Sequence, residues 1–277
     1  MAKLDKEKKR QKSLERLRRL RPMDDDFMRC IFKDDIPLAQ FALRIIIDQA
    51  DLIIIKCETQ KDMKQLGGSR SISLDLYGTD SQDKKYDLEI QRAKSGADPH
   101  RARYHSSVLD IENLDASQNF NELPETYVIF FCEKDPFGQG LPLYHIDRTI
   151  RENGQEFQDG EHIIYVNGEF RDDSPIGKLI HDFNCADPDE MYFSLMAERT
   201  RYLKESEEGI NQMCEIFEEI REEGRIEGFE EGREEGSYDR ACSIALELLS
   251  KNSMTLEDIS QVTQLPMEEV KKLQVQL

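Results

Sequence analysis

Long apolar runs are missing from this chain. The longest, such as 45–47 and 52–55, span only a few residues, whereas a membrane helix needs about 20, so no membrane partner is expected. The first 21 residues are basic and have no apolar stretch of the kind a secretory leader carries, so none is expected there. Cys-x-x-Cys pairs are absent too. The six cysteines (Cys30, Cys57, Cys132, Cys185, Cys214, Cys242) are scattered without a His partner pattern, which excludes a zinc ribbon or a disulfide framework and fits a reducing cytoplasm. There is no phosphate-cradling Gly-x-x-x-x-Gly-Lys-Ser/Thr loop and no Gly-x-Ser-x-Gly elbow, which argues against an NTPase and a serine hydrolase. The five histidines form no His-x-x-x-His set; His145 and His162 fall in apparent strands and read as core or edge residues.

Net positive charge is also lacking. The chain carries −19 overall, with 34% charged residues and a mean hydropathy of −0.68. The distribution is uneven: residues 1–22 hold ten Lys/Arg against three Asp/Glu, and residues 205–236 hold thirteen Glu against three Arg. No broad basic surface is visible, which argues against tight nucleic-acid binding by charge alone. A cleft can still be locally positive, and a bound divalent ion adds charge that the count omits.

What is present is an α/β pattern. Residues 1–21 form a basic arm with a thin leucine stripe, which reads as solvated. A helix is expected around 25–33 and a better one over 37–48, where Leu38, Phe41, Ala42, Ile45 and Ile46 recur at helical spacing behind Pro37. Strands are predicted at 52–59, 71–77, 86–91, 125–132, 142–147 and 162–167, with Gly67-Gly68 and 78–84 as turns. Helices are predicted at 99–114, 175–182 and 189–204. The run 125–132 is continuously apolar, as in a strand buried on both faces. From 205 to 238 glycines recur at 224, 228, 232 and 236 among Glu and Arg, which fits close helix–helix approach or a spacer equally. Residues 239–277 read as three short helices, with Thr255 and Asp258 spaced as a capping box. They fit a helix-turn-helix or a small packing module. The expected segments are therefore 1–21, 22–204, 205–238 and 239–277.

One constellation carries chemistry. In 71–77, Asp75 lies on the polar face; in 86–91, Asp87, Glu89 and Gln91 share the polar face, because residues two apart on a strand project together. Across a hairpin, Asp75 lies beside Glu89 and Gln91. Two carboxylates at a sheet end offer hard oxygens to Mg²⁺, which binds through one or two carboxylates plus water and substrate phosphate, and the Ile90 carbonyl between the two side chains is a further donor. On alternation alone the signal is weak, because a polar strand face is usually the solvent side of a half-buried sheet.

A resemblance separates the two. Asp75, the run from Tyr86 to Gln91, and Arg101, Arg103 and Tyr104 resemble the PD-(D/E)XK nuclease family transposases, also described as recombination-promoting nucleases. So do Met23 to Met28 with Phe32, the run from Leu123 to Phe130, and the run from Gly160 to Gly168. The likeness spans residues 22–204. It implies a restriction-endonuclease-like αβββαβ core with a mixed central sheet, followed by a helical C-terminal extension. It also implies a DNA endonuclease that hydrolyses phosphodiester bonds with Mg²⁺ (Mn²⁺ substituting), tied to DNA recombination or mobile elements. Asp75 would be the metal-binding aspartate and Glu89 its partner. Gln91 would stand where the wider superfamily has lysine, Asp25 would be a further metal ligand, and Arg101, Arg103 and Tyr104 would contact DNA phosphate. A neutral amide orients water but adds no positive charge, so slow cleavage that depends strictly on metal is expected, with Lys94 or Arg101 as substitute cations. The alternative is an inactive interaction protein of the same fold that forms homo-oligomers through its C-terminal helices.

Overall fold

The computed structural model describes residues 2–63, 72–92, 94–251 and 254–275, so the predicted Gly67-Gly68 turn and Ser71 lie outside the described residues. The chain divides into two compact units, Met1–Phe217 and Glu218–Leu277.

The first unit opens with three helices, α1 (Ala2–Arg19), α2 (Asp25–Ile31) and α3 (Ile36–Ile47). Leu17 of α1 is buried, so the basic arm is not wholly a solvated tail. In α3, the side chain of Asp35 caps the Leu38 amide at 3.0 Å and Pro37 occupies the first turn. Leu38, Ala39, Ala42, Leu43 and Ile46 form its buried stripe. Three strands follow, β1 (Ile54–Asp62), β2 (Ser73–Asp80) and β3 (Lys85–Gln91), then α4 (Pro99–Glu112), β4 (Thr126–Cys132), β5 (Leu143–Ile146) and β6 (Glu161–Asn167). Helices α5 (Pro175–Asn184), α6 (Ser194–Glu205) and the start of α7 (Glu207–Lys251) complete the unit.

The sheet order is β1-β2-β3-β4-β6-β5. The pairs β1/β2 and β2/β3 are antiparallel, β3, β4 and β6 run parallel, and β5 closes the edge antiparallel to β6. This is the expected αβββαβ core with a mixed sheet. Every residue of β3 and β4 is buried, because helices cover both faces. On one face Phe131 stacks on Phe183 of α5 at 4.3 Å between ring centroids, and Leu43 of α3 lies over Gly78. On the other, α4 covers a cluster that includes Tyr77, Ala102, Leu109, Val128, Phe130 and Tyr165.

Several boundaries differ from the sequence reading, among them β1, expected at 52–59 and found at Ile54–Asp62; two others have clear local reasons. The predicted turn 78–84 is shorter, because β2 continues to Asp80, whose carboxylate Oδ1 accepts the Gln82 and Lys84 amides at 2.9 Å each. Its other oxygen accepts the Tyr86 hydroxyl at 2.8 Å, so one aspartate closes the whole turn. The helix predicted over 189–204 starts only at Ser194. Before it, the buried Asp182 accepts the Tyr192 and Phe193 amides at 2.8 and 2.9 Å, holding 192–193 extended.

Gly168 follows β6 where the parallel strands end, and its amide donates to the Cys132 carbonyl at 2.7 Å. A Cβ there would stand 2.3 Å from that carbonyl oxygen and 3.1 Å from that of Glu133, both backbone atoms. Gly168→Ala is therefore expected to destabilise the fold by about 1–3 kcal/mol, read as a lower midpoint in urea with an unchanged slope.

In the second unit, the end of α7 packs with α8 (Leu256–Thr263) and α9 (Met267–Gln274) around Ala245, Ile259, Leu265, Val270 and Leu273. The first of the three predicted short helices is thus the end of a continuous one. The Thr255–Asp258 capping box is present, and Gln264 takes the left-handed conformation (φ 59°) that turns α8 into α9. Among the described residues, nothing lies within 4 Å of a Cβ placed at Gly224, Gly228, Gly232 or Gly236. Among the described residues, no helix is long and apolar enough to cross a membrane.

Candidate metal centre

The Asp80 turn sets the register of the β2–β3 hairpin: Leu76 faces Leu88 and Tyr77 faces Asp87. One step further along that register, Asp75 stands opposite Glu89. The two are joined crosswise, since the Glu89 carboxylate accepts the Asp75 amide at 3.0 Å and the Asp75 carboxylate accepts the Ile90 amide at 2.9 Å. From the other side of β2, Gln60 on β1 donates to Asp75 Oδ1 at 3.2 Å. Asp75 and Glu89 thus meet near the C-terminal end of β3, with Gln91 two residues further on the same strand.

The polar face of the hairpin is not its solvent side. Helix α4 lies over it, started by Asp98, which caps the His100 amide at 2.7 Å, and by Pro99 in the first turn. Arg101 and His105, one helical turn apart, project onto the acids. The Arg101 guanidinium donates to Glu89 Oε2 at 3.1 Å, to Gln91 Oε1 at 3.2 Å and, through Nε, to His105 Nε2 at 3.3 Å. His105 Nδ1 lies 2.8 Å from Asp87 Oδ2. An arginine always donates, so Nε2 is the acceptor and the neutral ring carries its proton on Nδ1, given to Asp87.

Asp87 and His105 were missed as site residues. Asp87 shares the face of Glu89 by simple alternation; His105 lies four residues after Arg101, the spacing that stacks side chains on one helix face. Gly96, in the short 3-10 turn Lys94–Ala97 before α4, also belongs to the site. A Cβ at Gly96 would stand 1.9 Å from Gln91 Oε1, so glycine leaves the room the amide occupies.

The electrostatics are those of an under-neutralised cluster. Among the described residues, the buried Asp87 and Glu89 lie beside one guanidinium, that of Arg101. Burial raises the pKa of Glu89 well above the ordinary carboxylate range, and the Asp87 and Asp75 charges push it further. Burial does the same to Asp87, opposed in part by hydrogen bonding with Glu89. Burial lowers the pKa of His105, which favours the neutral ring. Asp87 Oδ1 is buried with no hydrogen-bond partner, and Asp87, Glu89 and His105 offer donor atoms within 4.8 Å of one another. A hard oxygen left unsatisfied in such a place fits a cation, whose charge would favour the ionised carboxylate.

The remaining predicted residues fall as follows. Asp25 begins α2, and its side chain lies outside the described set. Its neighbour Asp24 is bound by Arg21 at 2.9 Å and faces Arg92, the residue after Gln91, at 3.5 Å. Burial raises the Asp24 pKa, but the Arg21 hydrogen bonds outweigh it and hold the group below its ordinary value. Asp26 pairs with Arg16. Arg103 is exposed on α4 and Tyr104 is half-buried. Lys94 has no described side chain. His145 is exposed, and His162 stacks on Tyr127 at 4.5 Å, an edge role as expected. Burial pushes the thiols of Cys57 and Cys132 up to about 12, which leaves them inert as nucleophiles.

No curated protein and no solved structure shows a significant match to the chain. A family model does match: PD-(D/E)XK nuclease family transposase, over residues 41–173. That segment contains the hairpin acids, Gln91 and α4 with Arg101 and His105. This α/β segment, just under half of the chain, is thus similar to the PD-(D/E)XK nuclease family transposases.

Proposed function

We propose that the chain is a metal-dependent DNA endonuclease that hydrolyses phosphodiester bonds during DNA recombination or the movement of mobile elements. The observation that carries this reading is the pairing of Asp75 with Glu89 beside Gln91, inside the segment matched by the nuclease family. Asp75 and Glu89 would hold Mg²⁺, with the Ile90 carbonyl as a further donor and Mn²⁺ able to substitute. When bound, the ion supplies positive charge to the scissile phosphate and acidifies the attacking water.

The chain's own groups do the rest. Gln91 orients water through its amide, held in place over Gly96. Arg101 and Arg103, in the first turns of α4, and Arg92, after β3, bring positive charge to the edge where the acids lie. This local charge supports phosphate binding despite a net −19.

Supercoiled plasmid incubated with the full chain should be nicked in Mg²⁺ or Mn²⁺ and left intact in excess EDTA. Equal nicking with and without chelator would refute the reading. Homo-oligomerisation through the C-terminal helices belongs to the same proposal, supported by the glycine positions on α7 that no described residue covers. A mass measured in solution tests it.

A further inference from the structure

The Arg101 guanidinium draws in three acceptors from two elements: Glu89 Oε2, Gln91 Oε1 and His105 Nε2. Each presents a lone pair to one cation. His105 is turned by its Nδ1–H to Asp87, both side chains being about 1% exposed or less. That is the way a metal-ligating histidine is normally held, its second nitrogen given to a carboxylate so that the first offers its lone pair. Asp87 Oδ1, fully buried, has no partner. A purely structural salt bridge would not require a histidine lone pair among its acceptors.

We infer that Arg101 occupies the position of a divalent cation and competes with it, and that His105 Nε2 is a nitrogen donor of that site alongside Glu89 and Gln91. The Arg101 side chain is 41% exposed, so it can leave for solvent or for a phosphate at small cost, whereas Glu89 at 1% cannot move away. The metal-free protein is thus held shut by its own arginine, and loading with metal frees that arginine for DNA. A nitrogen donor also favours Mn²⁺ over Mg²⁺ relative to an all-oxygen site. This inference rests on the metal-dependent reading above and extends it by two donors and a competitor.

Calorimetric titration of the full chain with Mn²⁺ and electron spin-echo spectroscopy of the Mn²⁺ complex test it without DNA. Arg101→Met should bind Mn²⁺ roughly tenfold tighter than the parent, since binding no longer breaks charge-assisted hydrogen bonds. The parent complex should show ¹⁴N modulation from a directly bound imidazole, a readout that needs no buried variant. Equal or weaker binding by Arg101→Met overturns the inference, and so does a parent spectrum without nitrogen modulation. Either failure leaves the nuclease reading standing if the parent still binds Mn²⁺ and Asp75→Asn weakens it. A parent and Arg101→Met variant that both bind no Mn²⁺ would defeat the metal reading as well.

Discussion

Asp75→Asn and Glu89→Gln should each lower plasmid cleavage by roughly 10²–10³-fold or more, the scale lost when a charged group at a reacting phosphate is removed. Both substitutions keep the size of the side chain. Asparagine at 75 retains one oxygen for the Ile90 amide, and glutamine at 89 retains one for the Asp75 amide, so the hairpin register survives. The loss would therefore report missing charge rather than a missing fold. Gln91→Ala should cost far less, because a neutral amide contributes orientation only. Cleavage by either acid variant at the parental rate would remove the hairpin acids from the mechanism.

The second large effect runs the opposite way. Glu89→Gln should make the metal-free protein more stable by about 1–2 kcal/mol at pH 8, as relief of strained charge at functional sites commonly does. Glu89 has a folded-state pKa raised by burial first and by Asp87 and Asp75 next. Between its unfolded value, about 4.3, and the raised folded value, the native state holds a proton that the unfolded chain releases. Stability from this group therefore falls as pH rises through that window. Glutamine has no such proton to lose, so the two proteins should converge as pH approaches the ordinary carboxylate range. Melting curves of both in EDTA, from pH 5 to 8, measure the difference; parallel curves would mean Glu89 titrates normally. Saturating Mn²⁺ should favour the parent instead, through preferential binding to its native state.

The same cluster marks where sequence reasoning succeeds and where it stops. Alternation along 86–91 is enough to put Asp87, Glu89 and Gln91 on one face, and a short hairpin is enough to bring Asp75 beside them. That the face is covered could not be seen there, because its cover is α4, formed ten residues later. The buried residues of α4 include Ala102, His105, Ser106 and Leu109, a stripe half polar because it meets a polar strand face. The helix itself was expected over 99–114, but so polar a stripe does not announce which side meets the sheet, and His105 was passed over. The continuous β4 run was legible because both its faces are apolar. Continuity of α7 was not, since four glycines inside a helix oppose propensity; exposed pairs such as Arg221–Glu218 and Arg225–Glu222, at 2.6 Å each, add only a few tenths of a kcal/mol apiece.

The turn closed by Asp80 sits at the end of the hairpin away from Asp75 and Glu89, about five residues, or roughly 17 Å, along the strand. Strand side chains alternate with period two, so a single residue gained or lost within 81–84 would exchange the two faces of β3 relative to β2. Tyr86, Leu88 and Ile90 would then compete for the place of the acids. The length of this tight surface connection is consequently fixed by chemistry at the far end of the strands. Variation in loop length, usually the cheapest change a protein can accept, is closed to it here.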